Sequence, residues 1–326
     1  MRRAAAALLL AMVLMSACGC GAQNVLFGGR QGYLFTVSDA VALPGEEVLL
    51  RAHLQGGDFL RAQPGYVVRF SRGGEFYKAA ETDRDGVAAV SFTPTAPGDY
   101  VFRVEPSPNG FPDQPPEPVE AFVLCRRADT PILVVDLDKT VVASGFQQVL
   151  VGKPEPMADS VEVMKRLAKD YTVIYLTHRP DFFGPKSKAW LREHEYPRGP
   201  LLLSDIGGFL KGSGAFKSAV LGDIRRRFKG GKAVGIGDKV SDVVAYHDHG
   251  LRAFLIVQPD ETAGAAGLRQ LADSLDPLPD AVQVVTGWRE IERAVFEAAT
   301  FPKTALQQRL RKRADELDAA SKAATP

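Results

Sequence analysis

Asp136 and Asp138 stand two positions apart in DLDKT, directly after the apolar run ILVV at 132–135. Two carboxylates that close repel each other, so a cation or a proton must offset the repulsion, and Mg²⁺, which prefers oxygen ligands, is the usual partner. Further polar positions sit at the ends of other apolar runs in the same half of the chain. Thr177 closes TVIYLT, Lys217 opens the helix after the next run, and GDKVSD brings Asp238 and Asp242 after AVGI. Four carboxylates, one hydroxyl and one ammonium are what phosphoryl transfer through an aspartyl intermediate requires: nucleophile, proton donor, metal ligands and charge neutralisation. Lys211 and Lys186 compete with Lys217 for the neutralising role. Arg179 in THRP is a candidate for a further phosphate oxygen or for pairing with an acid. Ser204 and Asp205 end the run PLLLSD as a support of the site or as a helix cap, and His178, His247 and His249, which lack metal-ligand spacing, read as surface or loop histidines.

The elements that must position these groups are legible from periodicity. Continuous apolar runs at 132–136, 172–177, 200–205, 233–238 and 252–257 suit strands covered on both faces. Between them Val161, Met164, Leu167 and Ala168 mark one helix stripe, and Phe216, Val220, Ile224 and Phe228 mark another at four-residue steps. Alternation of this kind predicts an α/β fold with a mainly parallel sheet, binding ligands at the carboxyl ends of its strands. Residues 32–128 differ. Short runs such as YLFTV, YVVRFS and DYVFRV, divided by turn pairs at Asp85-Gly86 and Pro97-Gly98, predict an all-β, immunoglobulin-like sandwich of six or seven strands serving as spacer or substrate presenter. The α/β domain is expected over 129–300, with a polar-faced C-terminal helix in 301–326.

At the N-terminus, Arg2 and Arg3 precede an uncharged apolar run that is shorter than the roughly 20 residues a membrane-spanning helix needs. Residues 1–17 read as a secretory signal. Ser16 and Ala17 before Cys18 resemble the lipobox of bacterial lipoproteins, which implies lipidation of Cys18, a tether over 18–31 and an extracytoplasmic protein held on a membrane; ordinary cleavage nearby is the alternative. Cys20 and Cys125 would then occupy a compartment that permits disulfides, and their pairing is left open.

Composition limits the remaining choices. With 40 Lys and Arg against 39 Asp and Glu, the formal charge of +1 gives no general attraction to nucleic acid, so any phosphate preference must be local. Three cysteines cannot build a disulfide framework. The 326 residues suit two cores, and nothing in them sets an oligomeric state.

The DxDxT strand end, the hydroxyl-ended strand, the Lys and the acidic pair, in that order, resemble the haloacid dehalogenase (HAD) superfamily. More narrowly, VIYLTHRPDFFGPKSKAWLREHEYPRGPLLLSD, FKSAVLGDIRRRF and GIGDKVSDVVAYHDHG resemble the lipin-type phosphatidate phosphatase domain, with a departure at Lys139, where lipin-type sequences usually carry Gly. The resemblance implies a Rossmann-like, Mg²⁺-dependent phosphomonoesterase. Asp136 would be the nucleophile, Asp138 the acid and base, and Thr177 and Lys217 would hold the phosphoryl group. Mg²⁺ would be held by Asp136, the backbone carbonyl of Asp138, Asp238 directly and Asp242 through water. The intervals 140–171 and 180–216 are too short for a cap domain, so the site is expected to be uncapped and suited to a lipid-linked phosphate such as phosphatidate. Two alternatives stand beside this: a phosphatase of soluble nucleotides, sugar phosphates or nucleic-acid ends, and a lipid-binding module without turnover.

Overall fold

A computed structural model describes residues 32–56, 61–111, 114–144, 154–205 and 212–323. The expectations for residues 1–31, including the signal, Cys18 and the tether, lie outside the described residues, as does Lys211. Among the described residues nine strands come first: β1 (Tyr33–Val37), β2 (Ala40–Ala42), β3 (Val48–Gly56), β4 (Arg61–Ala62), β5 (Val67–Arg72), β6 (Glu75–Glu81), β7 (Val87–Phe92), β8 (Gly98–Pro106) and β9 (Val119–Cys125). Strands and helices then alternate: β10 (Ile132–Val135), α1 (Ser160–Leu167), β11 (Thr172–Pro180), α2 (Gly184–Glu193), β12 (Leu201–Ser204), α3 (Ser213–Arg227) and β13 (Ala233–Gly237). After them come α4 (Val240–Asp248), β14 (Arg252–Ile256), α5 (Gly264–Ser274), β15 (Gln283–Val285), α6 (Trp288–Phe296) and α7 (Lys303–Ala323). The protein is thus a mixed α/β structure with several sheets, one of them parallel. Among the described residues no helix is long and apolar enough to cross a membrane.

Contacts divide the chain into two compact units: Met1–Ala128 with His178–Glu193 and Arg198–Gly212, and Asp129–Thr177 with His194–Pro197 and Ser213–Pro326. In the first unit β3 pairs with β1, β4 and β7, while β2, β9, β8, β5 and β6 form a second sheet in that order. Alternation buries one face of each strand, as Val48, Leu50, Ala52 and Leu54 do in β3, and these join Val68, Phe70, Phe102 and Ala121 of the other sheet in one core. The Asp85-Gly86 turn forms because Gly86 takes φ +75° and a Cβ there would meet Leu54 O at 2.5 Å. Strand β6, EFYKAAE, escaped the sequence reading because it is a sheet edge with none of its seven residues buried, so it carries no alternating signal. Asp39 fastens the later segments of this unit. Its buried carboxylate accepts from Phe122 N (2.8 Å), Leu201 N (2.8 Å) and Lys188 Nζ (2.6 Å).

The second unit has β11, β10, β13, β14 and β15 side by side, each neighbouring pair parallel. β10 is apolar throughout and fully covered, as a strand between two helix layers must be. Two stripes differ from expectation. In α1 the buried face is Ser160, Val163, Met164 and Leu167 rather than one through Val161 and Ala168. In α3 it runs through Lys217, Leu221 and Ile224 and on to Phe228, while Phe216 and Val220 are half-buried. Four-residue steps advance about 40° beyond a full turn each, so a stripe kept up over twelve residues drifts about 120° and cannot face one core. Strand β11 also runs three residues past Thr177: His178, Arg179 and Pro180 ended the apolar run, yet Arg179 and Pro180 are buried, and Arg179 donates to Ser187 Oγ at 2.8 Å. The tail helix α7 packs on α5, burying Leu306, Leu310 and Ala314, with Gln307 donating to Ala272 O.

Candidate functional site

The site is built at the carboxyl ends of the central strands of the second unit. Val135 is level with Tyr175 of β11 and Ile236 of β13, so the residues just beyond, Asp136, Thr177 and Gly237–Asp238, emerge together. The Asp136 N–H donates to Ile236 O (3.0 Å), which continues the ladder one residue past β10 and fixes where the carboxylate leaves the sheet. From α3, the fully buried Lys217 reaches in to place Nζ 3.1 Å from Asp136 Oδ2 and 2.6 Å from Asp242 Oδ2. Ser213, one helical turn earlier on the same face, donates to Asp242 Oδ1 (2.8 Å), and Ser241 donates to the same oxygen (3.2 Å).

α4 lies close enough to deliver Asp242 because β13 carries Gly235 where Tyr246 packs. A Cβ at Gly235 would sit 2.5 Å from Tyr246 Cγ. The glycines of AVGIG are therefore positions of close helix–strand approach. The Lys217 ammonium lies 5.9 Å from the Tyr246 ring centroid, a cation over an aromatic face in a dry site.

Burial dominates the electrostatics. It pushes the Asp136 carboxyl above the ordinary range; Lys217 opposes the rise, and Asp242 and Asp138 add to it. Asp238 is pushed up to about 7, first by burial, then by Asp136 and Asp242, with Lys239 and Lys217 opposing. For Lys217 burial alone would lower the pKa, but Asp136, Tyr246 and Asp242 outweigh it, so the ammonium stays charged. Three clustered acids share one lysine, so in low dielectric they demand protons or a second cation.

The residues fit a hard metal ion. Carboxylate oxygens of Asp136, Asp238 and Asp242 lie within 4.8 Å of one another. Both oxygens of Asp242 already accept hydrogen bonds, whereas Asp238 Oδ1 is buried with no partner. An orphaned buried carboxylate oxygen is costly unless something binds it, so Asp238 and Asp136 are the direct ligands this geometry favours, with Asp242 orienting Lys217. The Asp138 carboxylate lies outside the cluster of three; that residue is half-buried and bridges to Val142. Thr177 is 1% exposed. Of the competing lysines, Lys186 belongs to the first unit, where burial and then Arg179 lower its pKa. Ser204 also lies there and donates to Asp205 O rather than to the site. His249 Nε2 is 2.9 Å from Ser218 Oγ of α3.

Metal binding is expected to be linked to pH. A carboxyl whose folded pKa lies above its unfolded value keeps a proton that the unfolded chain gives up, so Asp238 makes the metal-free protein less stable as pH rises from the ordinary carboxylate range to about 7. A metal ion held by Asp238 would displace that proton. Thermal melts at about pH 5 and about pH 8 should therefore show a larger Mg²⁺-induced rise in Tm at the higher pH, and Asp238→Asn should abolish the difference.

Lys139, in the turn after Asp138, has φ +51°, a left-handed conformation that costs a non-glycine residue about 1–2 kcal/mol. Gly would take this backbone conformation without strain. Lys139→Gly should leave stability unchanged or raise it by up to about 1 kcal/mol, because relief of strain offsets the added entropy of the unfolded chain. Lys139→Val should instead destabilise by about 1 kcal/mol or more, as a denaturant midpoint will report.

Sequence reasoning missed Ser213, Ser241 and Tyr246. Ser213 had a usable signal, four residues before Lys217 on one helix face; Tyr246 had none, since its place depends on the two glycines of a strand it does not adjoin in sequence.

Comparisons with known proteins bear on the same region. A family model described as "PITM 1-3, LNS2 domain" matches residues 133–256, which include Asp136, Asp138, Thr177, Lys217, Asp238 and Asp242. Membrane-associated phosphatidylinositol transfer protein 2 of Mus musculus is 25% identical over 176 residues, covering 53% of this chain and 12% of that protein. Its Homo sapiens counterpart is 24% identical over the same span. The match therefore spans about an eighth of the length of those relatives. Among solved structures, the CARDB domain of a Pyrococcus furiosus protein is similar at 16% identity, covering 29% of this chain and 86% of its own, with a TM-score of 0.23. The titin M3 domain is similar at 13%, covering 30% and 100%, with a TM-score of 0.22. Residues 133–256 are thus similar to a lipin-like, phosphatase-related domain.

Proposed function

We propose that this protein is a Mg²⁺-dependent phosphomonoester hydrolase of the HAD superfamily, with phosphatidate or another lipid-linked phosphate as substrate. The observation that carries the reading is the buried Lys217 between Asp136 and Asp242, with Asp238 Oδ1 left unpaired beside them. A structural ion pair needs neither three acids nor an orphaned oxygen.

In this reading an oxygen of Asp136 attacks phosphorus, and the leaving oxygen takes the proton of Asp138. Asp138 then removes a proton from water, which attacks the aspartyl phosphate and releases inorganic phosphate with Asp136 restored. Lys217 neutralises charge on the transferring group and Thr177 donates to it. Asp136, Asp238 and the carbonyl of Asp138 would hold Mg²⁺, which supplies charge neutralisation at the phosphoryl oxygens.

The lipid substrate is supported by the likeness to the LNS2 domain and by the names of the relatives, which are membrane-associated phosphatidylinositol transfer proteins. It also agrees with the anchor expected at Cys18, which would hold enzyme and lipid on one extracytoplasmic membrane surface. The names favour a second reading, a lipid-binding module without turnover. Retention of both Asp136 and Asp138 argues for turnover. The test is phosphate release from phosphatidate in mixed micelles, with Mg²⁺ or EDTA, alongside a nucleotide and a sugar phosphate. Mg²⁺-dependent release from phosphatidate is expected; release from the soluble esters alone overturns the lipid assignment, and micelle binding without release favours the second reading.

A further inference from the structure

From the geometry we infer that Trp288, which lies outside every motif of the site and outside residues 133–256, is a positioning residue for the nucleophile loop; this rests on the phosphohydrolase reading. Trp288 is the first residue of α6, is fully buried, and donates its indole Nε1–H to Thr140 O at 2.8 Å across 148 positions of sequence.

The loop it grips is tightly wound. Backbone N–H groups of Thr140, Val141 and Val142 all converge on Leu137 O, at 3.3, 3.0 and 2.9 Å. Lys139 within it is held left-handed. A turn that crowds three donors on one acceptor and stores strain in a lysine persists only where surrounding structure over-determines it. Thr140 is fully buried and its carbonyl accepts from the indole; an indole N–H is a donor alone, so the pairing runs in one sense. Asp136 and Asp138 lie at the other end of the same short turn. A shift of Thr140 is therefore passed along at most four residues to the attacking oxygen and to the proton donor.

The neighbouring residue strengthens this assignment. Arg289 pairs with Asp159 (3.1 Å) and with Glu162 and Glu292, and Asp159, immediately before α1, is likewise left-handed at φ +62°. Consecutive residues of α6 thus bond one to Thr140, next to the left-handed Lys139, and one to the left-handed Asp159. Trp288 is the buried member of the pair and the one directed at the site.

Trp288→Phe in the full chain keeps an aromatic ring in place and deletes the donor. The expected result is a fall in kcat of about tenfold or more with KM within twofold, since misplacing a nucleophile affects the reacting step rather than substrate binding. Unchanged kcat in a folded variant overturns the inference. A second measurement needs neither turnover nor this variant. The chain has two tryptophans, and Trp190→Phe leaves Trp288 alone to be labelled as 5-fluorotryptophan. Added Mg²⁺ should shift its single ¹⁹F resonance, and Asp238→Asn should remove the shift; a resonance indifferent to Mg²⁺ that the protein demonstrably binds overturns the inference. Should the wild type release no phosphate while Mg²⁺ still moves the resonance, the phosphohydrolase reading falls and the coupling of Trp288 to the acidic site stands.

Discussion

Lys217→Met is expected to abolish turnover and to destabilise the fold by about 3–5 kcal/mol, the cost of removing one partner from a buried charge cluster. Lys217 has no exposed surface and is shared by Asp136 and Asp242, so methionine of similar length fills the space while leaving two adjacent carboxylates without their cation. The carboxyls can answer only by taking up protons. The folded pKa of Asp136, already above its unfolded value, then rises further, which makes the stability deficit grow with rising pH and shrink in acid. Urea denaturation of variant and wild type at about pH 5 and about pH 8 gives the comparison. A deficit below about 1 kcal/mol at the higher pH would mean that Lys217 does not neutralise the cluster.

Asp136→Asn separates chemistry from stability. The side chains are nearly isosteric and the substitution removes one of the repelling charges, so stability should stay within about 1 kcal/mol of wild type. Turnover should fall by about 10⁴-fold or more, because an amide oxygen cannot form the covalent intermediate and loss of a nucleophile removes the whole two-step route. Retention of activity within about tenfold, with contaminating phosphatases excluded, rules out Asp136 as nucleophile.

Much of this site was legible because its residues are tied to strand ends. A parallel strand buried on both faces is one apolar run, so the first polar residue after it, as in VVD, YLT and GIGD, must lie at the sheet's carboxyl rim. Order along the chain then brought Asp136, Asp238 and Asp242 together, and α3 brought Lys217. What could not be read depends on contacts without local pattern. Strand β6 buries nothing and has no periodicity. The face of α3 depends on a drift that the choice of four-residue steps concealed. The division of roles between Asp238, with an unpaired oxygen, and Asp242, whose oxygens both accept hydrogen bonds, needs side-chain geometry. Trp288 is invisible to spacing because its partner lies 148 positions away, and the strain at Lys139 is a backbone property that only the departure from Gly hinted at.

The covalent intermediate is the central claim, and trapping it tests that claim most directly. Wild-type protein turning over phosphatidate with Mg²⁺ is quenched in acid, reduced with borohydride and digested for mass spectrometry. An aspartyl phosphate is reduced to homoserine, so the account predicts homoserine at position 136 in the wild type and none in Lys217→Met. Phosphate release with position 136 intact throughout, or reduction at another carboxylate, contradicts it.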